Sequence, residues 1–401
     1  RAEEGEGGAG ARRRRRWPLR LLAAPGLGLR VLPLDPRAFG SLEILDVSQN
    51  MIEHIPDEIC FCSSLRELYA SRNKLESVPP ALGNLGSLQA LVLDDNRFTS
   101  FPLNIFLQPK NALEVISICN NSLQEIGQFK SSSLRKLSAS GNPLKDCPSF
   151  DGKALPRLAE LDLGGCALAH IHNGLLALPG LCVLRLARNR LAELPEDAAP
   201  PGKRLSLSMR EIDLSYNKLE FIPLVLEHCN QLQKVNFQGN AIGALTPAAR
   251  RRPGGRPAAP EVELEDDVFS DGSSSGGGGE GDEDDEDKDK DGAGSWGDDG
   301  EAVLSLDPCG LAFLPPSLEH LDLQDNRISS LGGARALAGL RGLRALYLAG
   351  NPRLARLPAA FAGLGALARL TLDPSGALGP PALRRAVLTG TFGGGGDGGG
   401  G

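Results

Sequence analysis

The chain is poor in aromatic residues, at 4% of its length, with two tryptophans, three tyrosines and two methionines in 401 positions. A thick globular core usually draws on large rings, so this scarcity points to a thin interior that Leu, Ile and Val can fill. Histidine is also scarce, with five residues, and only His170 and His172 stand close together. No run of eighteen apolar residues occurs, which excludes an ordinary membrane-spanning helix in this stretch. GxxxxGK[ST], HExxH and GxSxG are all missing, and with them the common sequence signs of nucleotide, zinc-protease and serine-hydrolase chemistry. No catalytic residue, cofactor or metal site is assigned, and no enzymatic activity is expected.

What is present is a period. Asn50, Asn73 and Asn96 stand 23 residues apart, and each closes a segment of the form LxxLxLxxN, followed by x and an apolar residue. Pro56, Pro79 and Pro102 follow at matching offsets. Side chains alternate across a strand, so Leu45 and Val47 are predicted to point inward while Asp46 and Ser48 face out. The asparagine amide is suited to bonding backbone groups at the bend that follows. The prolines fix φ and lack an N–H, which favours an irregular return segment over a long helix. One such unit cannot bury its own apolar side, whereas stacked units can. This is the leucine-rich repeat pattern. The expected fold is α/β: a horseshoe solenoid with a concave parallel β-sheet and a largely irregular or short-helical convex side.

The frame extends in both directions. Residues 1–18 form a basic tail expected to be disordered. Arg12–Arg16 before WPLRLLAAPGLGL have the outline of a secretory leader. Arg20 and Arg30 interrupt the apolar stretch, however, and its leucines fall in repeat frame, so it is read as a degenerate first repeat. Asn121, Asn142, Asn189, Asn217 and Asn240 continue the series, with Cys166 in one asparagine slot. Repeats therefore span 19–245. Residues 246–302 are rich in Gly and acid and are expected to be a disordered insertion. Repeats and a C-terminal cap are placed at 303–390, with Cys309, Asn326 and Asn351 in successive asparagine positions, and a Gly-rich tail at 391–401. About fourteen repeats are expected. The chain starts at Arg1 rather than Met, so a longer product is considered as well.

Three features bear on chemistry. Asp287, Asp289, Asp291 and Gly292 match the opening of an EF-hand loop, but no amphipathic helices flank them, and the match is read as chance within an acidic run. The pair His170 and His172 near Cys166 is read as structural rather than zinc-binding. Eight dispersed cysteines favour free thiols and a reducing compartment over a disulfide framework. One N-x-S sequon at Asn120, without a convincing leader before it, is weak evidence for secretion.

The remaining candidate is the inner face of the sheet. Tyr69, Arg72, Val92, Asp94, Arg185, Arg188, Asp213, Tyr216, Asp322 and Tyr347 are predicted to line it. Tyr and Arg are enriched where binding energy concentrates, so a protein-binding surface is expected. No specific nucleic-acid site is expected, and a monomer is.

The form LxxLxLxxNxLxxLPxx(I/L), without cysteine caps, resembles the intracellular Ras-suppressor type of leucine-rich repeat protein. Residues resembling LPPSLEHLDLQDNRI and LYLAGNPRLARLPAAFAGLGAL also occur near the end of the repeat array in Roco-type kinases, and PH-domain leucine-rich-repeat phosphatases carry comparable arrays. The resemblance implies a cytoplasmic scaffold or regulator in signal transduction, with small GTPases, kinases or phosphatases as partners. Three alternatives stay open: the recognition arm of a larger signalling enzyme, a secreted or cell-surface binding module, and a chromatin- or RNA-associated acidic repeat protein, the last suggested by the acidic insertion and the arginine run.

Overall fold

The computed structural model describes residues 19–32, 39–108, 111–150, 152–195, 208–243, 309–332, 337–354 and 357–372. The basic tail, the acidic insertion with its EF-hand-like motif, the C-terminal cap after 372 and the Gly-rich tail lie outside these residues.

Thirteen three-residue strands form one parallel sheet in strict chain order. They are β1 (Leu21–Ala23), β2 (Ile44–Asp46), β3 (Glu67–Tyr69), β4 (Ala90–Val92), β5 (Val115–Ser117), β6 (Lys136–Ser138) and β7 (Glu160–Asp162). After them come β8 (Val183–Arg185), β9 (Glu211–Asp213), β10 (Lys234–Asn236), β11 (His320–Asp322), β12 (Ala345–Tyr347) and β13 (Arg369–Thr371). The central residues align across the sheet, as in Leu45↔Leu68 and Leu68↔Leu91. Most strands bury only that middle residue and leave both neighbours half-exposed on the concave face. Leu45 and Val47 are buried, as the alternation requires. The first repeat is also in frame: Leu21 pairs with Ile44 and Leu29 N–H donates to Asn50 Oδ1.

The asparagines form the second support. Asn73 Oδ1 accepts from Ile52 N–H at 3.0 Å, and its Nδ2 donates to the carbonyls of Val47, Ala70 and Ser71. Asn96, Asn121, Asn189, Asn217, Asn240 and Asn326 repeat this scheme. Each amide thus satisfies turn groups in its own repeat and in the one before, so neighbouring repeats are tied by backbone as well as by leucine.

Cys166 shows what the slot demands. Its Sγ reaches Ala139 O at 3.3 Å, taking over one donor role of the amide. It offers no carbonyl oxygen to the preceding repeat, and Leu144 N–H turns instead to Asn142 O at 2.8 Å.

The prolines lead into single turns of 3-10 helix: Asp57–Phe61 after Pro56, Pro80–Asn84 after Pro79, and Leu103–Leu107 after Pro102. The α-helix α1 (Asn173–Leu176) is also one turn long. The next two repeats after Leu107 carry no helix among the described residues of 121–135 and 142–159. Phe101, Phe106, Phe129 and Phe150 pack there instead, with Phe106 and Phe129 stacked at 4.3 Å and Phe129 edge-on to Phe150 at 6.3 Å.

One expectation is corrected. Cys309 does not occupy an asparagine slot, and no short repeat intervenes before Asn326. Strand β10 pairs directly with β11. Asn326 Nδ2 donates to Phe237 O at 3.0 Å, and Ile242 N–H donates to Asn326 Oδ1 at 3.0 Å. Cys309 O accepts from Ile222 N–H, and the turn Leu311–Phe313 packs beside Leu224–His228. Residues 309–318 therefore complete the return path of the β10 repeat. The insertion splits a single repeat, which is why the described residues hold thirteen strands.

Candidate functional site

The concave face is built of three columns. The residue before each central strand residue forms the first: it includes Glu67, Lys136, Glu160, Glu211 and Arg369. The residue after it forms the second, with Tyr69, Val92, Arg185, Asp213, Asp322 and Tyr347. The third is the position just before each asparagine, where Arg72, Asp95, Arg188, Tyr216 and Asp325 all have positive φ between 53° and 57°. The left-handed backbone turns the chain out of the sheet there and raises these side chains into a ridge.

Several acidic side chains on this face are already engaged. Asp46, Asp162, Asp213 and Asp322 each accept from the backbone N–H two residues on, at 2.9 to 3.0 Å, and Asn236 does the same. This Asx turn ends the strand and orients the ridge residue that follows. Asp94 Oδ1 accepts from Ser117 Oγ and Cys119 N–H, both at 2.7 Å, clamping β5. The predicted acidic site residues Asp94, Asp213 and Asp322 are thus structural first, with their remaining lone pairs facing the cavity of the horseshoe.

Charge is balanced over the centre of the sheet. Lys136 Nζ lies 3.0 Å from Glu160 Oε2, Arg185 Nη1 lies 4.0 Å from the same oxygen, and Arg185 Nη2 lies 3.4 Å from Glu211 Oε1. These groups are one third exposed or more, so the chain sets geometry and adds little stability. Arg185, predicted as a contact residue, is bracketed by two glutamates. Toward β11 the balance changes: burial, followed by the nearby Asp325 and Asp213 carboxylates, raises the Asp322 carboxyl above its ordinary value, against the lowering effect of its bonds from Gln324.

The predicted residues fall into separate groups. Tyr69, Arg72, Val92 and Asp94 lie together on β3 and β4 and the turns after them. The Tyr69 hydroxyl donates to Glu67 Oε2 at 2.7 Å, and Arg72 Nε lies 3.5 Å from Asp95 Oδ2. Arg185, Arg188, Asp213 and Tyr216 lie together on β8 and β9, four strands further on. Asp322 and Tyr347 are adjacent on β11 and β12, where the Tyr347 hydroxyl accepts from Arg369 Nη1 at 3.2 Å. Two sets are not brought together: four strand steps of about 4.8 Å separate Val92 from Arg185.

Tyr216 is an exposed aromatic side chain on the ridge, 45% exposed. Arg188 Cζ lies 5.3 Å from its ring centroid, and a Cβ placed on Gly239 would stand 2.6 Å from its Cδ1. Sequence reasoning missed the partners Glu67, Glu160, Glu211, Lys136 and Arg369. Their signal was available, because each immediately precedes the inward Leu or Ile of its strand and so shares the outward parity of the residue after it.

His170 and His172 are exposed whereas Cys166 is buried in the asparagine ladder. Among the described residues no three His, Cys, Asp or Glu side chains converge as a metal site, and no helix is long and apolar enough to cross a membrane.

The family model described as Leucine rich repeat matches residues 313–374, and a second, Leucine Rich Repeat, matches 41–62 and 64–85. The chain is 27% identical over 283 residues to mouse leucine-rich repeat serine/threonine-protein kinase 1; this is 64% of the chain and 13% of the kinase. It is 30% identical over 143 residues to rabbit lumican, covering 30% of this chain and 73% of lumican. A leucine-rich repeat protein of Leptospira interrogans superposes with a TM-score of 0.56 at 19% identity, covering 93% of this chain and 94% of that one. With the asparagine ladder, the parallel sheet in chain order and this similarity to rabbit lumican in hand, the chain belongs to the leucine-rich repeat superfamily.

Proposed function

We propose that this chain is a non-enzymatic scaffold or regulator in intracellular signal transduction, acting in the cytoplasm as a monomer and holding a protein partner on its concave face. The Arg188–Tyr216 pair carries the reading. Tyr216 is an exposed ring fixed between a cation and a glycine floor, so little side-chain freedom is lost on contact. Tyr and Arg are also the side chains that most often anchor protein interfaces. Cys60, Cys62, Cys119, Cys147, Cys166, Cys182 and Cys229 are free thiols, which suits a reducing compartment. Small GTPases, kinases and phosphatases are the partner classes this reading names.

The similarity to the mouse kinase, of which this chain spans 13%, favours a second reading as the recognition arm of a larger signalling enzyme. A third, a secreted binding module, draws on the similarity to lumican and on Asn120, whose sequon side chain is exposed.

Proximity labelling in cells tests these readings. Recovery of GTPases, kinases or phosphatases by the wild type, lost on Tyr216→Ala, supports the scaffold. Recovery of secretory-pathway proteins with a glycan on Asn120 overturns it in favour of the third.

A further inference from the structure

The convex side is thin where two successive repeats carry no helix among the described residues, and a cleft of about 260 Å³ opens there, lined by Gln128, Phe129, Lys130, Ser149, Phe150 and Ala154. Its floor is aromatic: Phe129 and Phe150 are buried and meet edge to face. Its rim is polar, with Gln128, Lys130 and Ser149 exposed. The volume falls below the ~300–1,000 Å³ of sites for drug-sized ligands, and suits one or two apolar side chains of a peptide. The local charge runs against that of the chain as a whole, whose net charge is −7. The return segments 124–130 and 145–157 contain Lys130, Lys145, Lys153 and Arg157 against Glu125, Asp146 and Asp151, whereas Arg135 and Lys136 lie at the start of β6, paired with Glu114 and Glu160.

We infer that this cleft is the docking site of the chain's own segment 261–272, EVELEDDVFSDG, with Phe269 seated on Phe129 and Phe150 and the flanking carboxylates facing Lys130. The segment's composition complements the cleft, since Val262, Leu264, Val268 and Phe269 alternate with, or abut, six acidic residues. Its attachment points suit it as well. Gly243 and Cys309 flank the insertion where the β10 repeat turns toward the convex side, beside Ile328 and Ile222 respectively. From β10 to β6 is four strand steps, roughly 19 Å at the spacing of paired strands. The stretch of about 26 residues from Ala244 to Phe269 can span up to ~85 Å, so the connection is amply long. A buried ring supplies non-directional affinity, and the carboxylate–lysine attraction supplies register.

The test is a photo-crosslink in the full chain. A benzoylphenylalanine residue replacing Phe269 is expected to form intramolecular adducts on the peptides bearing Phe129 or Phe150. Lys130→Glu should reduce their yield at least fivefold while Lys130→Arg preserves it, with circular dichroism confirming that both variants stay folded. The same probe replacing Trp296 should give far fewer adducts at the cleft. Adducts elsewhere on the solenoid, equal yields from positions 269 and 296, or crosslinks formed only between two molecules would each overturn the proposal; the last would make a second copy the occupant.

Discussion

Arg188 Cζ stands 5.3 Å from the centroid of the Tyr216 ring, and that ring lies across Gly239 of the next repeat. Three consecutive repeats thus each contribute one left-handed position to a single exposed feature, with φ of 57°, 54° and 69°. The pattern recurs along the ridge: Asn120 lies over Gly141 and Asp325 over Gly350, where a Cβ would meet the preceding side chain. A glycine there lets the side chain of the previous repeat lie flat.

Gly239→Ala should therefore act through its neighbour. The new Cβ would stand 2.6 Å from Tyr216 Cδ1 at a φ of +69°, so the ring must leave its place. A destabilisation of about 1–2 kcal/mol is expected from the left-handed backbone alone. Arg188→Ala removes a cation–π contact of about 0.5–1 kcal/mol and should leave the melting temperature nearly unchanged. Both variants, like Tyr216→Ala, should weaken partner capture. Thermal melts beside pull-downs separate the two effects, and unchanged capture by all three would exclude the ridge as an anchor.

Asp322 predicts a pH effect. Its folded carboxyl is raised above its unfolded value by burial first and then by Asp325 and Asp213. A raised acid favours the fold when protonated, so this contribution is present at low pH and lost as pH rises through the folded value. Asp322→Asn removes the charge and keeps the acceptor for Gln324 N–H, as Asn236 shows for Gln238 in the adjacent strand. The variant should be more stable than wild type at pH 7, with the gain shrinking as pH falls through the carboxylate range. Urea titrations at pH 4 and 7 check this, and a gain that grows toward acid would reverse the assignment.

Slots in the asparagine ladder should be unequal. Asn189→Ala strands the N–H of Leu168 and Cys166 and carbonyls of Leu163 and Leu186, at about 1–3 kcal/mol for each group that water cannot reach. Cys166→Ala removes a thiol's weak donations to Ala139 O and Gly164 O and a small volume, at about 1 kcal/mol. Chemical denaturation of the two variants should rank them in that order.

The thiols divide by burial. Burial pushes the thiols of Cys147, Cys166 and Cys229 up to about 11, countered at the first two by backbone hydrogen bonds. Almost no reactive thiolate exists at those positions at pH 8. Cys60 is exposed. Maleimide labelling of the native chain at pH 8, read by mass spectrometry, should modify Cys60 first and reach Cys166 and Cys229 only after denaturant is added.

The sequence by itself determined the period, the inward leucines, the asparagine positions and the short convex turns. Each follows from a local rule: alternation along a strand, one amide for one bend, proline at the start of a return. It could not show that Cys309 belongs to the repeat begun at β10, because a chain position says nothing of which strand it closes against once an insertion intervenes. Tertiary structure decided that, through the bonds from Asn326 to Phe237 and from Ile242 to Asn326. It also decided that Arg72, Arg188 and Tyr216 stand on a left-handed ridge, and that Arg185 is spent between Glu160 and Glu211. The contacts among these join residues from about 25 to about 90 positions apart, set by how one repeat stacks on the next. A single repeat read along its own length contains the side chains but not the neighbours that give them a role.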